Sequence, residues 1–286
     1  MRSFEYFEPA SIEEACDLLQ RYGEDARPLA GGTALIIWMR QRLLNPKVLV
    51  SLARIPGFEN IRFDPKRGLL IGAGARHRDV ELDASVRQHY PLLHETFRKV
   101  AQPRIRNMAT VGGNLCQGDP LTDPGASLLA LDASVTLQSA NGKRSLALEA
   151  FFIDYYETAL RSGELLTEVH VPPPAPGLSW AHIKFTPRSV EDFATVGVAV
   201  AMQHEGEICK DIRVALNAAG PKIFRARKAE RTLRGEKITA TSIREMAEIA
   251  ASESDPIEDN RGSAEYKREM VKVMVRRAAA QALGRL

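Results

Sequence analysis

The stretch Gln102-Pro103-Arg104-Ile105-Arg106-Asn107-Met108-Ala109-Thr110-Val111-Gly112-Gly113-Asn114-Leu115-Cys116-Gln117-Gly118-Asp119-Pro120-Leu121-Thr122-Asp123 decides the reading of this chain. At its centre a glycine pair follows a hydroxyl residue, and without Cβ atoms the backbone N–H groups there can approach an anion closely. A second pair, in Ala30-Gly31-Gly32-Thr33, stands upstream in a nearly parallel context. Two such loops in one chain can hold a long diphosphate ligand at two points.

The flanks of the first pair sharpen this. Arg27-Pro28-Leu29-Ala30 reads as a short strand, and Ala34-Leu35-Ile36-Ile37-Trp38-Met39 as the first turns of a helix. A strand, a glycine turn and a helix N-terminus favour phosphate through free N–H groups and the helix dipole. Neither loop ends in Gly-Lys-Ser/Thr, so nucleoside triphosphate chemistry has little support. Gly72-Ala73-Gly74 lacks a third glycine at Rossmann spacing and reads instead as close backbone packing in a strand.

Working outward, Ser11 and Glu14 suggest a capping box at the start of a helix that presents Ala15, Leu18 and Leu19 and stops at Gly23. Residues 47–52 read as a buried strand, punctuated by Ile55-Pro56-Gly57. A strand at 69–75, a short helix after Arg78-Asp79, a helix opening at Pro91, a small-residue helix at 125–131 and a strand at 134–137 follow. A strand at 165–171 then runs into Pro172-Pro173-Pro174, which cannot pair in a central sheet. Beyond it come strands at 180–186, 194–203 and 211–217 and a helical tail with Tyr266, Met270, Val273 and Met274 on one face. Three units are expected, at 1–56, 57–174 and 175–286.

The net charge of +3 on 286 residues makes no electrostatic case for nucleic acid. No apolar run reaches membrane-spanning length, and Met1-Arg2-Ser3-Phe4-Glu5 turns acidic too soon for a signal peptide, so a cytoplasmic location is expected. Cys16, Cys116 and Cys209 have no Cys-x-x-Cys spacing, so any redox metal must come from another chain. The histidines are scattered and read as structural or surface groups.

Together with Leu29-Ala30-Gly31-Gly32-Thr33-Ala34-Leu35, the opening stretch resembles the FAD-binding medium subunit of the molybdenum hydroxylases, a family that includes carbon monoxide dehydrogenase and the flavin part of xanthine dehydrogenase. The Ile-Arg-Asn-x-x-Thr-x-Gly-Gly-Asn core with its downstream Asp-Pro-x-x-Asp carries the resemblance, which extends through 163–169 and 184–188 and so covers nearly the whole chain. It implies an α+β fold: a two-lobed FAD-binding domain of the vanillyl-alcohol-oxidase (PCMH) type, then a small antiparallel-sheet-plus-helices C-terminal domain.

By the same resemblance, Ala30, Gly31, Gly32, Thr33 and Ala34 and then Thr110, Val111, Gly112, Gly113 and Asn114 would contact FAD, chiefly its pyrophosphate. Asp123 would bond its adenosine side, Lys184 would lie near the flavin, and Leu166 would join the lining. An exposed lysine on an edge strand is the bland alternative for Lys184. Arg98, Lys99, Arg104 and Arg106 form a basic cluster, read as a solvated helix end in preference to an anion attractor. Lys267, Arg268, Lys272 and Arg276 likewise read as a solvated helix face before a docking surface. Cys116 reads as a small buried residue before a redox thiol.

The function implied is electron transfer. [2Fe–2S] clusters on a small partner subunit would pass electrons to this FAD from a large molybdopterin subunit, and FAD would pass them to an external acceptor. The assembly implied is a dimer of heterotrimers, with no catalytic residue demanded of this chain. A self-sufficient flavin oxidase or dehydrogenase and a non-catalytic nucleotide-binding module are the alternatives.

Overall fold

A computed structural model describes residues 2–284. Its first sheet is parallel and small. Val48–Ser51, apolar but for its last residue, lies between Glu5–Phe7 and Ala26–Leu29 and is buried throughout, as expected of a strand covered on both faces. Helix Ile12–Tyr22 buries Ala15, Cys16 and Leu19 and ends at Gly23, which takes φ +51°. Its capping box is displaced: Ser11 Oγ accepts from the Glu14 N–H at 3.1 Å, but the Glu14 carboxylate accepts from the Ala10 N–H at 2.8 Å.

The second sheet is antiparallel, in the order Ile61–Asp64, Gly68–Gly72, Leu165–Val171, Ser134–Ser139, Gly142–Ala147. Its second strand stops at Gly72, short of the expected residue 75. The reason is the packing foreseen for Gly72-Ala73-Gly74. A Cβ on Gly72 would lie 2.3 Å from the Phe58 carbonyl oxygen, and one on Gly74 would lie 2.6 Å from the Phe58 ring. The turn at residues 55–58 therefore seats directly on the strand end.

The third sheet runs in sequence order through Ser179–Phe185, Val196–Glu205, Ile208–Asn217 and Phe224–Arg225. Strand alternation divides its faces. Val196, Val198, Val200 and Met202 pack with helices Arg227–Leu233, Ala240–Ser252 and Ala264–Ala282, whereas Ala199, Ala201 and Ala215 join the core of the first two sheets. The element that meets the alanine face is Pro124–Ala130, a helix buried along its whole length. Only small residues allow so close an approach; a Cβ on Gly125 would lie 2.5 Å from the Ile223 side chain. Asp132 ties the units further, pairing with Arg213 at 2.9 Å and with Arg225.

Candidate functional site

The glycine pairs meet along one cavity, and within each pair the two residues do different work. A Cβ on Gly31 would fall 1.9 Å from the Met108 carbonyl oxygen, and one on Gly112 would fall 2.6 Å from the Ala73 side chain. These two hold backbone against backbone. Gly32 instead takes φ +70°, and Gly113 is exposed, its Cβ position meeting only Thr110 Oγ1 at 2.8 Å. Those two open onto a cleft.

The backbone donors divide just as unevenly. Along the second loop the N–H groups of Val111 and Gly112 donate to Ala75 O and Ala73 O at 2.9 and 2.8 Å. Those of Gly113 and Asn114 donate to Thr110 Oγ1 and Thr110 O at 3.1 and 2.9 Å. The loop is thus the capped first turn of helix Val111–Gln117. Around the first loop, no acceptor among the described residues meets the N–H of Gly31, Gly32, Thr33 or Ala34. Helix Leu35–Arg40 follows it directly. The expected pair of equal anion loops is therefore one loop with free donors and one whose donors are committed.

The cleft has two connected ends. One is a cavity of about 300 Å³ lined by Ala30, Gly31, Gly32, Thr110, Gly112, Gly113 and Leu166. The other, about 390 Å³, is lined by His77, Ala101, Asp123, Lys184 and Phe193. Thr33, Ala34, Trp38, Asn114 and Tyr156 line both. Val111 lines neither: its side chain is fully buried in the core.

At the second end Lys184 Nζ lies 2.9 Å from Asp123 Oδ2 and donates to the Lys99 carbonyl oxygen at 2.8 Å. Both side chains are 5% exposed or less. The exposed-lysine alternative is excluded; strand Ser179–Phe185 is an edge, but the end of helix Pro91–Arg98 covers this face. Burial pushes the Asp123 carboxyl above the usual range, with the Lys184 ammonium opposing it. Asp123 and Lys184 thus line the same end of the cleft.

Several groups escaped the sequence reading. Phe58, Trp38, Tyr156, His77 and Phe193 all wall the cleft. Tyr156 sits at φ +55° with its ring edge-on to Trp38 at 5.5 Å. Nothing local signals these residues, because they converge from separate helices and turns far apart in the chain. Burial pushes the His77 imidazole down to about 4, so it is neutral, and neither ring nitrogen has a partner. His182 is also buried and unpartnered, pushed down to about 3, but lies outside the cleft.

Three further readings change. Arg106 is no solvated helix end: it is 7% exposed and paired with Glu81 at 2.8 Å. Lys267 is turned inward, 2% exposed, onto Ile257 O and Asp259. Cys116 lines the cleft, but burial pushes its thiol up to about 12, which keeps it protonated and unreactive.

FAD fits this arrangement. The free N–H groups suit its pyrophosphate, and the apolar walls suit flat rings. The buried, unpartnered Asn114 Oδ1 between the two ends awaits a donor. Among the described residues no His/Cys/Asp/Glu cluster could hold a metal ion, and no helix is long and apolar enough to cross a membrane.

The same conclusion comes from comparison with known proteins. Residues 2–174 match the family described as FAD binding domain in molybdopterin dehydrogenase, and residues 181–282 match the CO dehydrogenase flavoprotein C-terminal domain. The chain belongs to this family of FAD-binding subunits of molybdenum-containing dehydrogenases. It is 36% identical to the carbon monoxide dehydrogenase medium chain of Hydrogenophaga pseudoflava, covering 99% of this chain and 98% of that one. To the 6-hydroxypseudooxynicotine dehydrogenase complex subunit alpha of Paenarthrobacter nicotinovorans it is 34% identical, over 99% and 95% of the two chains. The solved Hydrogenophaga pseudoflava carbon monoxide dehydrogenase, in a form lacking the Mo-pyranopterin moiety, superposes with a TM-score of 0.96 at 37% identity over 99% and 98% of the chains.

Proposed function

We propose that this chain is the FAD-carrying electron-transfer subunit of a multi-subunit molybdenum hydroxylase. The observation that carries the reading is the cleft itself, with uncommitted backbone donors at Gly31–Ala34 and the buried Lys184–Asp123 pair at its far end. Gly31, Gly32, Thr33 and Ala34 would bind the pyrophosphate, Gly113 and Asn114 would close over it, and Leu166 would pack beside the adenosine portion. Lys184 would face the flavin, where a cation favours the reduced anionic ring.

When bound, FAD supplies the exchange between one- and two-electron carriers. This chain's own residues position it, exclude water and set the charge around it. In this reading residues 1–56 and 57–174 form the two lobes of the cofactor domain and 175–286 the unit that closes it. The partners are a small [2Fe–2S] subunit and a large molybdopterin subunit, assembled as a dimer of heterotrimers in the cytoplasm, with an external acceptor. The two relatives are subunits of enzymes named for carbon monoxide and for 6-hydroxypseudooxynicotine. Substrate choice therefore belongs to another subunit.

Purification from the native source without dissociating partners tests this. Flavin and [2Fe–2S] absorption with stoichiometric molybdenum is the expected result. A lone yellow chain that turns over an organic substrate, or a colourless chain that ignores added FAD, would overturn it.

A further inference from the structure

A buried charge cluster stands behind the wall of the second cavity. Glu81 and Arg106 have side chains 7% and 8% exposed. Glu81 Oε2 accepts from Arg106 Nε at 2.8 Å, while its Oε1 accepts from Arg78 Nη1 at 2.6 Å. Arg106 Nη1 donates to two successive carbonyls, Val100 O at 2.8 Å and Ala101 O at 2.7 Å. The planar guanidinium makes this a rigid fork that a lysine could not reproduce.

The segment so held would not keep its shape unaided, because Ala101 takes φ +40°, a conformation costly for any residue with a Cβ. The carbonyl just before it, Lys99 O, is the one that accepts from Lys184 Nζ. An ammonium has three donors. One goes to Lys99 O and one to Asp123, so the orientation of that carbonyl decides where the remaining N–H points.

We infer that Arg106, braced by Glu81, is a positioning residue: it fixes the 99–101 loop so that Lys99 O aims the Lys184 ammonium into the flavin end of the cleft. The inference rests on the cleft being the FAD site. Arg106 touches neither cavity; it acts through the loop backbone.

The test uses the full-length chain with and without FAD, comparing Arg106→Gln with the unaltered protein. Glu81 keeps Arg78, so the substitution leaves no buried carboxylate alone. The first readout, on the FAD-free chain, is the rate at which an amine-acylating ester modifies Lys184. Lys267, whose side chain is equally buried, serves as internal reference. Lys184 should react about tenfold faster while Lys267 is unchanged. The second readout is the affinity ratio of reduced to oxidised FAD, expected to fall about tenfold, which lowers the two-electron potential by about 30 mV. Should Arg106→Gln not accumulate, Arg106→Lys, which keeps the charge without the fork, is read the same way. Unchanged Lys184 protection, an equal rise at Lys184 and Lys267, or an unchanged potential would each overturn the positioning role. Failure of the unaltered chain to bind FAD would instead overturn the proposed function and leave the acylation rates to decide the positioning.

Discussion

Lys184 and Asp123 form a buried ion pair, Nζ to Oδ2 at 2.9 Å, that joins the edge strand of the C-terminal sheet to the start of the central helix Pro124–Ala130. Breaking such a pair from one side leaves a charge without a partner in a dry site, at a cost of about 3–5 kcal/mol. Lys184→Met should therefore lose stability on that scale in urea titration. Lys184→Met combined with Asp123→Leu should recover most of it. Neither variant should keep the flavin potential of the unaltered protein, because both lose the cation. A double variant as unstable as the single would show that the pair is not the source of the cost.

The two residues of each glycine pair should separate under substitution. Gly31→Val places atoms where the Met108 carbonyl stands, so it should abolish accumulation of folded chain. Gly113→Val disturbs only the Thr110 cap, which contributes about 1 kcal/mol. That variant should fold, with a melting temperature within a few degrees of the original, and bind FAD at least tenfold more weakly by fluorescence titration.

Acid should weaken the fold through its buried histidines. The His182 imidazole, pushed from 6.5 down to about 3, stays neutral when folded, whereas the unfolded chain takes up a proton below 6.5. Stability is then fully present above pH 6.5 and falls progressively toward pH 3, since the unfolded state binds the extra proton. His182→Leu removes that linkage and an unpartnered polar ring. It should be neutral or better at pH 7 and gain about 2 kcal/mol over the parent at pH 5, read from urea midpoints at the two values. An identical gain at both pH values would refute the linkage.

Cys116 should behave as a packing residue despite its place on the cleft. With its thiol pushed up to about 12, alkylation by iodoacetamide at pH 8 should be far slower than for a free thiol. Cys116→Ala should retain FAD affinity within about threefold. Loss of flavin reduction in Cys116→Ala with FAD still bound would reveal a redox role instead.

Local patterns carried much of the architecture. Val48–Ser51 is legible because a strand covered on both faces needs an apolar run, here Val48 to Val50, and Ile12–Tyr22 because its apolar residues recur along one stripe. The outer strands Ile61–Asp64 and Gly142–Ala147 escaped reading, since edge positions tolerate polar residues on both faces. Arg106 misled for a related reason: an arginine at a helix end looks solvated unless the covering Glu81, 25 residues away, is known to be there.

By itself the sequence determined the family, the two glycine loops and the strand-rich C-terminal unit, all of which are carried by short-range spacing. Tertiary structure alone decided which glycines pack and which open the cleft, which loop keeps its N–H groups free, and that Asp123 and Lys184 share one end. Those outcomes depend on how carbonyls of Met108, Ala73 and Lys99 arrive from other segments. Hydrogen bonding and burial are set by such long-range approach, and no local pattern encodes it.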